Sequence, residues 1–152
     1  MKKEVKTLTN LLIIISILAI ILSIYLTVLH YSDVSSFCDI SQGLSCDIVN
    51  KSIYSEFPPG SGIPVAVGGI IVFLAVLITV IKIKNNKELF YLSPKELSNY
   101  LFYLSIVSLL FAIYLIFTEA FLILSFCILC LMLDLLILIT LILAYKLKKA
   151  VK

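Results

Sequence analysis

Four long apolar runs constrain the fold of this chain more than any other feature of its sequence. They cover residues 11–30, 63–81, 101–118 and 120–145, and each is close to the roughly 20 residues that a helix needs to cross a bilayer. The runs are continuous and do not alternate between apolar and polar residues, which excludes the strands of a membrane barrel. The sequence therefore predicts an all-α integral membrane protein, a bundle of four transmembrane helices.

The whole chain, residues 1–152, is predicted to be a single transmembrane domain. Its composition is 62% hydrophobic and 14% charged, which is too apolar for a soluble domain, so the excess must face lipid. We expect helices at about residues 11–30, 63–84, 95–118 and 122–146. The loop at 31–62 is long and rich in Ser, Asp, Pro and Gly, and loops of this length are often functional.

The lysines indicate which side of the membrane each loop occupies. Eleven of the twelve, Lys2 and Lys152 among them, lie before the first helix, between the second and third, or after the fourth; only Lys51 lies elsewhere. Since basic residues concentrate on the cytoplasmic side, both termini are predicted to be cytoplasmic and the loop at 31–62 extracytoplasmic, in a plasma membrane. The lysines flank helices without interleaved aromatic residues, so no nucleic-acid partner is expected.

The four cysteines are predicted to meet on the extracytoplasmic face. Cys38 and Cys46 lie in the long loop, and Cys127 and Cys130 form a C-x-x-C pair near the start of the fourth helix. Two cysteines three apart on a helix share a face within disulfide range, and the helix dipole favours a thiolate in the first turn. A mobile pair above a fixed pair suggests thiol–disulfide exchange.

Three other interpretations of the cysteines remain open. Structural disulfides would suit an exported loop, although a bridge within one helical turn closes too short a loop to add much stability. A zinc site usually needs two closely spaced pairs, and the seven residues between Cys38 and Cys46 make that spacing loose, so no metal site is predicted. Free buried cysteines would explain one or two of the four, but not all four on one face.

Asp134 lies four residues after Cys130 and should share its helical face. A carboxylate inside a membrane helix is a functional hypothesis by default, and we weigh a proton relay and a hydrogen bond to a neighbouring helix evenly. Because this single carboxylate makes no polar path across the other helices, a channel or transporter is not predicted. We expect His30 to be a hydrated interfacial residue and Glu119 to be solvated.

Two local patterns predict how helices begin and pack. Residues 93–96, Ser-Pro-Lys-Glu, are typical of a capping box with Pro at the first helical position. The second helix begins with small residues, including Gly62, Ala66, Gly68 and Gly69. Small residues favour close helix contact, and otherwise leave room for a flat ligand.

Several motifs, taken in order, resemble the vitamin K epoxide reductase family. They are CDISQGLSC at residues 38–46, SIY at 52–54, GIPV at 62–65 and CILC at 127–130. The resemblance covers nearly the whole chain and implies a four-helix bundle around a quinone. It implies that the last pair is the active site, with Cys130 facing the quinone. Cys46 would exchange with Cys127, and Cys38 would meet a partner protein.

The resemblance implies a membrane thiol:disulfide oxidoreductase that couples to a quinone, either ubiquinone, menaquinone or a related naphthoquinone. A separate thioredoxin-like carrier outside the membrane would supply the electrons, which would support disulfide bond formation. Relatives often have an aromatic residue where this chain has Asp134, so their quinone contacts do not transfer directly. The residues assigned to quinone contact are Cys130, Asp134, Ser52, Ser61 and Gly62.

Two alternatives to the thiol oxidase stay open. The same cysteine pair could reduce a quinone or vitamin K epoxide for quinone recycling, and the accumulating product would separate the two enzymes. A chain of another class, a non-catalytic membrane scaffold with structural disulfides, would hold its bridges unchanged whether or not quinone is supplied.

Overall fold

Four long helices dominate the structure, a computed structural model that describes residues 3–87 and 91–151. The elements in chain order are α1 (Lys3–Tyr31), β1 (Asp39–Ser41), β2 (Leu44–Ser45), α2 (Cys46–Asn50), α3 (Val65–Lys84), α4 (Pro94–Thr118) and α5 (Ile128–Ala150). Helices α1, α3 and α5, and α4 together with the π-helical turn that follows it, are each long and apolar enough to cross a membrane. The prediction of a mostly helical chain with four such helices is confirmed.

Two helix starts differ from the sequence prediction. α1 begins at Lys3, well before residue 11, because nothing between these positions breaks a helix. The last helix begins at Ile128, not near residue 122. Between α4 and α5 the chain forms a π-helical turn, Glu119–Ile123, which ends where Leu124 adopts a left-handed conformation with φ of 56°. An unbroken apolar run gives no signal for that interruption.

The long loop folds into small elements above one end of the bundle. Strands β1 and β2 form an antiparallel hairpin, and α2 and a 3₁₀ turn, Ile53–Ser55, follow. Ser45 caps α2, since its hydroxyl accepts a hydrogen bond from the N–H of Ile48 at 3.1 Å. The hairpin is also tied to the chain before α5, because the N–H of Phe126 donates to the carbonyl of Gly43 at 3.0 Å.

The helices pack around two buried clusters, one towards each end of the bundle. α1 lies against α3 and α5, α4 lies mainly against α5, and α3 and α4 meet less closely. The cluster at the end away from the cysteines contains Val5, Ile83, Leu97 and Leu147, so α1 and α4 begin at that end and α3 and α5 finish there. Lys2 and Lys152, used for the predicted orientation, lie outside the described residues.

Both local patterns are present in the structure. Ser93 accepts from the N–H of Glu96, and the Glu96 carboxylate accepts from the N–H of Ser93, which completes the predicted capping box. On α3, a Cβ atom added at Gly69 would lie 2.9 Å from the Ser23 hydroxyl of α1, whereas one added at Gly68 would meet nothing within 4 Å. Gly69 therefore serves helix contact, and Gly68 faces open space.

Candidate redox site

All four cysteines lie in one buried cluster at the end of the bundle that carries the long loop. Cys38 and Cys46 form a disulfide, and Cys127 and Cys130 carry free thiols. The side chains of Cys46 and Cys127 are 0% exposed, and Cys130 packs against the same cluster with part of its surface open. The structure thus places an oxidised pair directly beside a reduced pair.

The loop cysteines are held in place by the hairpin and by α2. Leu44 and Phe126 form a parallel β-bridge, which brings Cys46 and Cys127 close together because each follows within two residues of the bridge. The carboxylate of Asp47 accepts two hydrogen bonds from the N–H of Ser36, at 3.0 and 3.2 Å. This contact fastens the chain just before Cys38 to the first turn of α2.

The C-x-x-C pair forms the start of α5. Cys127 is the N-cap, with extended backbone, and its sulfur accepts a hydrogen bond from the N–H of Cys130 at 3.2 Å. A helix N-terminus presents main-chain N–H groups that carry partial positive charge, and the Cys127 sulfur accepts from one of them. The arrangement therefore places one sulfur of the pair at the N-terminal end of α5, in the same buried cluster as the loop disulfide.

A cavity of about 300 Å³ lies next to Cys130, between α3, α4 and α5. This volume is at the lower end of the roughly 300–1,000 Å³ that small-molecule sites occupy. Its walls are mostly apolar, and the polar or titratable groups among them include Asn50, Tyr54, Glu119, Cys130 and Asp134. An apolar pocket with a few polar groups beside a reactive sulfur suits a flat, lipid-soluble ligand.

Asp134 supports that interpretation of the cavity. Its Oδ2 atom is buried and has no hydrogen-bond partner among the described residues, although a buried unpaired polar atom costs about 1–3 kcal/mol. A quinone has carbonyl oxygens and a quinol has hydroxyl groups. Either ligand would form a hydrogen bond with Oδ2 of Asp134, provided that Oδ2 or the ligand oxygen carries a proton. The residues present therefore fit a quinone, with Asp134 and Cys130 as the groups that would hold it.

Three residues assigned to quinone contact from the sequence do not line this cavity. The hydroxyl of Ser52 accepts from the N–H of Tyr54, and that of Ser61 accepts from the N–H of Ile63. The carbonyl of Gly62 accepts from the Tyr31 hydroxyl at 2.8 Å. All three stabilise the loop, so the cavity keeps only Cys130 and Asp134 from the predicted set.

The expectation that Glu119 is solvated is wrong, because its side chain is only 3% exposed. Its Oε2 accepts a hydrogen bond from the N–H of Cys127 at 3.2 Å, and it lines the cavity. The missed signal was a carboxylate between two long apolar runs, eight positions before the C-x-x-C pair.

The expectation that His30 is hydrated is also wrong. Its side chain is 7% exposed and its Nε2 lies 3.4 Å from Oε1 of Glu56. Its Nδ1 contacts the carbonyl of Asn50, whose side chain in turn donates to the carbonyl of Leu26 at 2.7 Å. His30 therefore fastens the loop to the top of α1.

The fold and the site together define a class: proteins with four helices able to cross a membrane, which hold a bonded and a free cysteine pair beside an apolar cavity. A family model described as the vitamin K epoxide reductase family matches residues 10–145, most of the chain. The chain belongs to that family. Members are oxidoreductases, and the family indicates membrane disulfide and quinone redox activity. A comparison with curated proteins gives no match. Within residues 3–87 and 91–151, no group of three or more His, Cys, Asp or Glu residues is arranged to hold a metal ion.

Proposed function

We propose that the protein is a quinone-coupled thiol oxidase that reoxidises a separate, extracytoplasmic thioredoxin-like carrier. One observation carries the proposal: the Cys38–Cys46 disulfide lies in the same buried cluster as the free thiols of Cys127 and Cys130, next to the apolar cavity. Electrons that arrive at the loop pair can therefore reach the cavity through sulfur atoms alone.

The relay begins at the loop disulfide. The reduced carrier gives two electrons to Cys38–Cys46 and leaves as a disulfide, so the loop pair becomes two thiols. The Cys46 thiolate then attacks Cys127 when that residue is bonded to Cys130, and the Cys130 sulfur leaves toward the cavity. Cys38 next attacks Cys46, which restores the loop disulfide and frees Cys127. The result is the state in the structure, an oxidised loop pair and a reduced C-x-x-C pair.

The last step returns the C-x-x-C pair to its disulfide. A bound quinone supplies an acceptor for two electrons and two protons, and the two thiols release the same number when they join. The chain's part is to aim Cys130 at the cavity, to hold Cys127 as a nucleophile at the helix N-terminus, and to offer Asp134 to an oxygen of the ligand. Strongly oxidising carriers need an acceptor of still higher potential, and a quinone meets that need.

Charge supports the proposed orientation. All described lysines other than Lys51 lie near the end of the bundle that is away from the cysteines. This concentration of positive charge favours a cytoplasmic location for that end. Both termini would then be cytoplasmic, and the four cysteines would lie on the oxidising side of a plasma membrane, where disulfides form.

The experiment is a coupled assay with purified protein in lipid nanodiscs. We expect a reduced thioredoxin-like protein to be oxidised only when a short-chain quinone is present, with one quinol formed per carrier disulfide. Cys130→Ser should abolish quinol formation, whereas Lys51→Ala, an exposed change in the same loop region, should leave it intact. Failure of the wild type to couple the two reactions, or full activity of the Cys130→Ser variant, would contradict the proposal.

The family match also favours a second function, reduction of a quinone epoxide by the same cysteine pair. The same assay separates the two: an epoxide reductase converts added epoxide to quinone while the dithiol is consumed. The scaffold alternative predicts both pairs bonded and unresponsive to quinone, and the free thiols of Cys127 and Cys130 count against it.

A further inference from the structure

Among the described residues, Glu119 is the one buried carboxylate at the site that the cysteine relay does not use. It is 3% exposed, it lines the cavity together with Cys130 and Asp134, and its Oε2 accepts from the N–H of Cys127. A carboxylate buried among apolar helices is costly, so its place beside the reactive pair calls for a reason.

The chain around Glu119 departs from regular helix in a way that keeps this carboxylate at the pair. Glu119 begins the π-helical turn that ends at Ile123, and its carbonyl accepts from the N–H of Ser125 at 3.3 Å. After the left-handed Leu124 the chain doubles back and presents Cys127 to the Glu119 side chain. Single π-helical turns within helices occur frequently at functional sites.

Oxidation of the C-x-x-C pair leaves two protons to be moved. Cys127 is fully buried, so its thiol has no direct access to bulk water. The titratable groups that line the cavity in the described part of the chain are Tyr54, Glu119, Cys130 and Asp134, and the His30–Glu56 pair lies beyond Asn50, outside it. Of the two carboxylates, Glu119 is the one for which the described residues show a hydrogen bond with Cys127, from its main-chain N–H; Asp134 lies about 6 Å deeper along α5 than Cys130.

We propose that Glu119 is the proton acceptor of the Cys127–Cys130 pair, an inference that rests on the proposed quinone-coupled function. As a carboxylate it takes the proton of one thiol, which leaves a thiolate. As a carboxylic acid it returns that proton to an oxygen of the acceptor in the cavity, and the proton of the second thiol follows the same route. The pair loses two electrons and two protons, the acceptor gains both, and Glu119 ends as it began.

Two substitutions separate this role from a merely structural one. Glu119→Gln keeps a side-chain oxygen that can accept the N–H of Cys127 but cannot take up a proton, and Glu119→Leu removes both properties. Glu56→Gln is the matched control, because Glu56 also accepts a main-chain N–H, that of Gly62 at 2.9 Å, yet does not line the cavity. Thermal unfolding of each variant checks that the fold is kept.

The first measurement does not involve quinone. The reduced pair is oxidised with diamide from pH 5.5 to 9, while the loop disulfide stays intact, and thiol loss is followed. We expect Glu119→Gln to lower the rate at neutral pH by about 10²-fold, the contribution typical of general base catalysis, and to move the rise of the rate to higher pH. Glu56→Gln should follow the wild type.

The second measurement is kcat for reduction of a short-chain quinone over the same pH range, where Glu119→Gln should again lose about 10²-fold. A Glu119→Gln variant with wild-type rates and pH profile overturns the proposal. This holds even if Glu119→Leu is slow, because the hydrogen bond to the N–H of Cys127, and not proton uptake, would then account for the effect of residue 119. If the wild type reduces no quinone, the proposed function fails, while the diamide profiles still support or overturn Glu119 as proton acceptor.

Discussion

Asp134 lies one helical turn below Cys130, and one oxygen of its carboxylate is buried without a partner among the described residues. Within a single protein such an atom only destabilises the fold, by about 1–3 kcal/mol. We therefore interpret this oxygen as a group that binds a ligand atom in the cavity that Asp134 lines. The sequence alone is compatible with a proton relay or with a hydrogen bond to a neighbouring helix. The cavity favours contact with a ligand.

A substitution at Asp134 should therefore affect ligand binding and stability in opposite directions. We expect Asp134→Leu to raise the KM for quinone about tenfold or more, the loss of one hydrogen bond to a charged or polar group, and to keep or raise the thermal unfolding midpoint. Asp134→Asn, which retains hydrogen-bonding atoms, should raise KM less. An unchanged KM in the Leu variant, measured by steady-state quinone reduction, would show that Asp134 does not contact the ligand.

The residues that sequence reasoning located well are those whose chemistry is local. The C-x-x-C spacing predicts a pair within disulfide range wherever that segment lies. Glu119 and His30 were misjudged because their surroundings come from distant segments: the carboxylate meets Cys127 only through the π-helical turn, and the imidazole meets Asn50 and Glu56 from the folded loop. No local pattern contains those contacts.

At the scale of elements, α1 and α3 approach each other closely where Gly69 has no side chain. A Cβ atom at Gly69 would come within 2.9 Å of the Ser23 hydroxyl, which is itself buried without a partner in the described structure. The neighbouring Gly68 has open space beside it. Gly69 therefore permits the close contact with α1, and both glycines line the cavity.

Substitution of each glycine by alanine tests the helix contact at Gly69, with Gly68 as the control. We expect Gly69→Ala to destabilise the protein by about 1–3 kcal/mol through overpacking, and Gly68→Ala to be neutral or to stabilise by up to about 1 kcal/mol because alanine favours helix. Adding Ser23→Ala should restore much of the loss at Gly69. Thermal unfolding in detergent measures all three, and equal destabilisation by the two glycine variants would contradict the helix contact.

Besides the hydrogen bond between Phe126 and Gly43, a second tether holds the loop. The carboxylate of Asp47 in α2 accepts from the N–H of Ser36. Loss of this bond to a charged group, worth about 1.5–3 kcal/mol, should free the chain before Cys38. We expect Asp47→Ala to speed reduction of the Cys38–Cys46 disulfide by dithiothreitol roughly tenfold. Asp39→Ala, an exposed carboxylate in β1, is the control. Equal rates in all three proteins would mean that the tether does not hold the loop.

At the scale of the whole molecule, the sequence predicted the four apolar helices and the meeting of all four cysteines, because hydropathy and topology suffice for both. It did not predict the cavity between α3, α4 and α5, nor the break before α5. Both arise from how the helices pack and from the turn at Leu124. A run of apolar residues has the same sequence pattern whether it packs in a core, lines a cavity or faces lipid.

The orientation of the whole molecule is a prediction of its own. In a variant whose four cysteines are serine, we expect Lys51→Cys to react with a membrane-impermeant thiol reagent in intact cells. Lys87→Cys, between α3 and α4, should react only after permeabilisation, because we propose that the lysine-rich end is cytoplasmic. Labelling of Lys87→Cys from outside, with Lys51→Cys protected, would invert the proposed arrangement.

The central claim is that the C-x-x-C pair passes electrons from the loop disulfide to a quinone. Its most direct test is mapping of the disulfides in the purified protein, trapped with a fast alkylating reagent after reduction by one equivalent of a dithiol, with and without quinone. We expect a Cys38–Cys46 disulfide with free Cys127 and Cys130 when quinone is absent, and a Cys127–Cys130 disulfide within one turnover of its addition. Identical disulfides in both samples would contradict it.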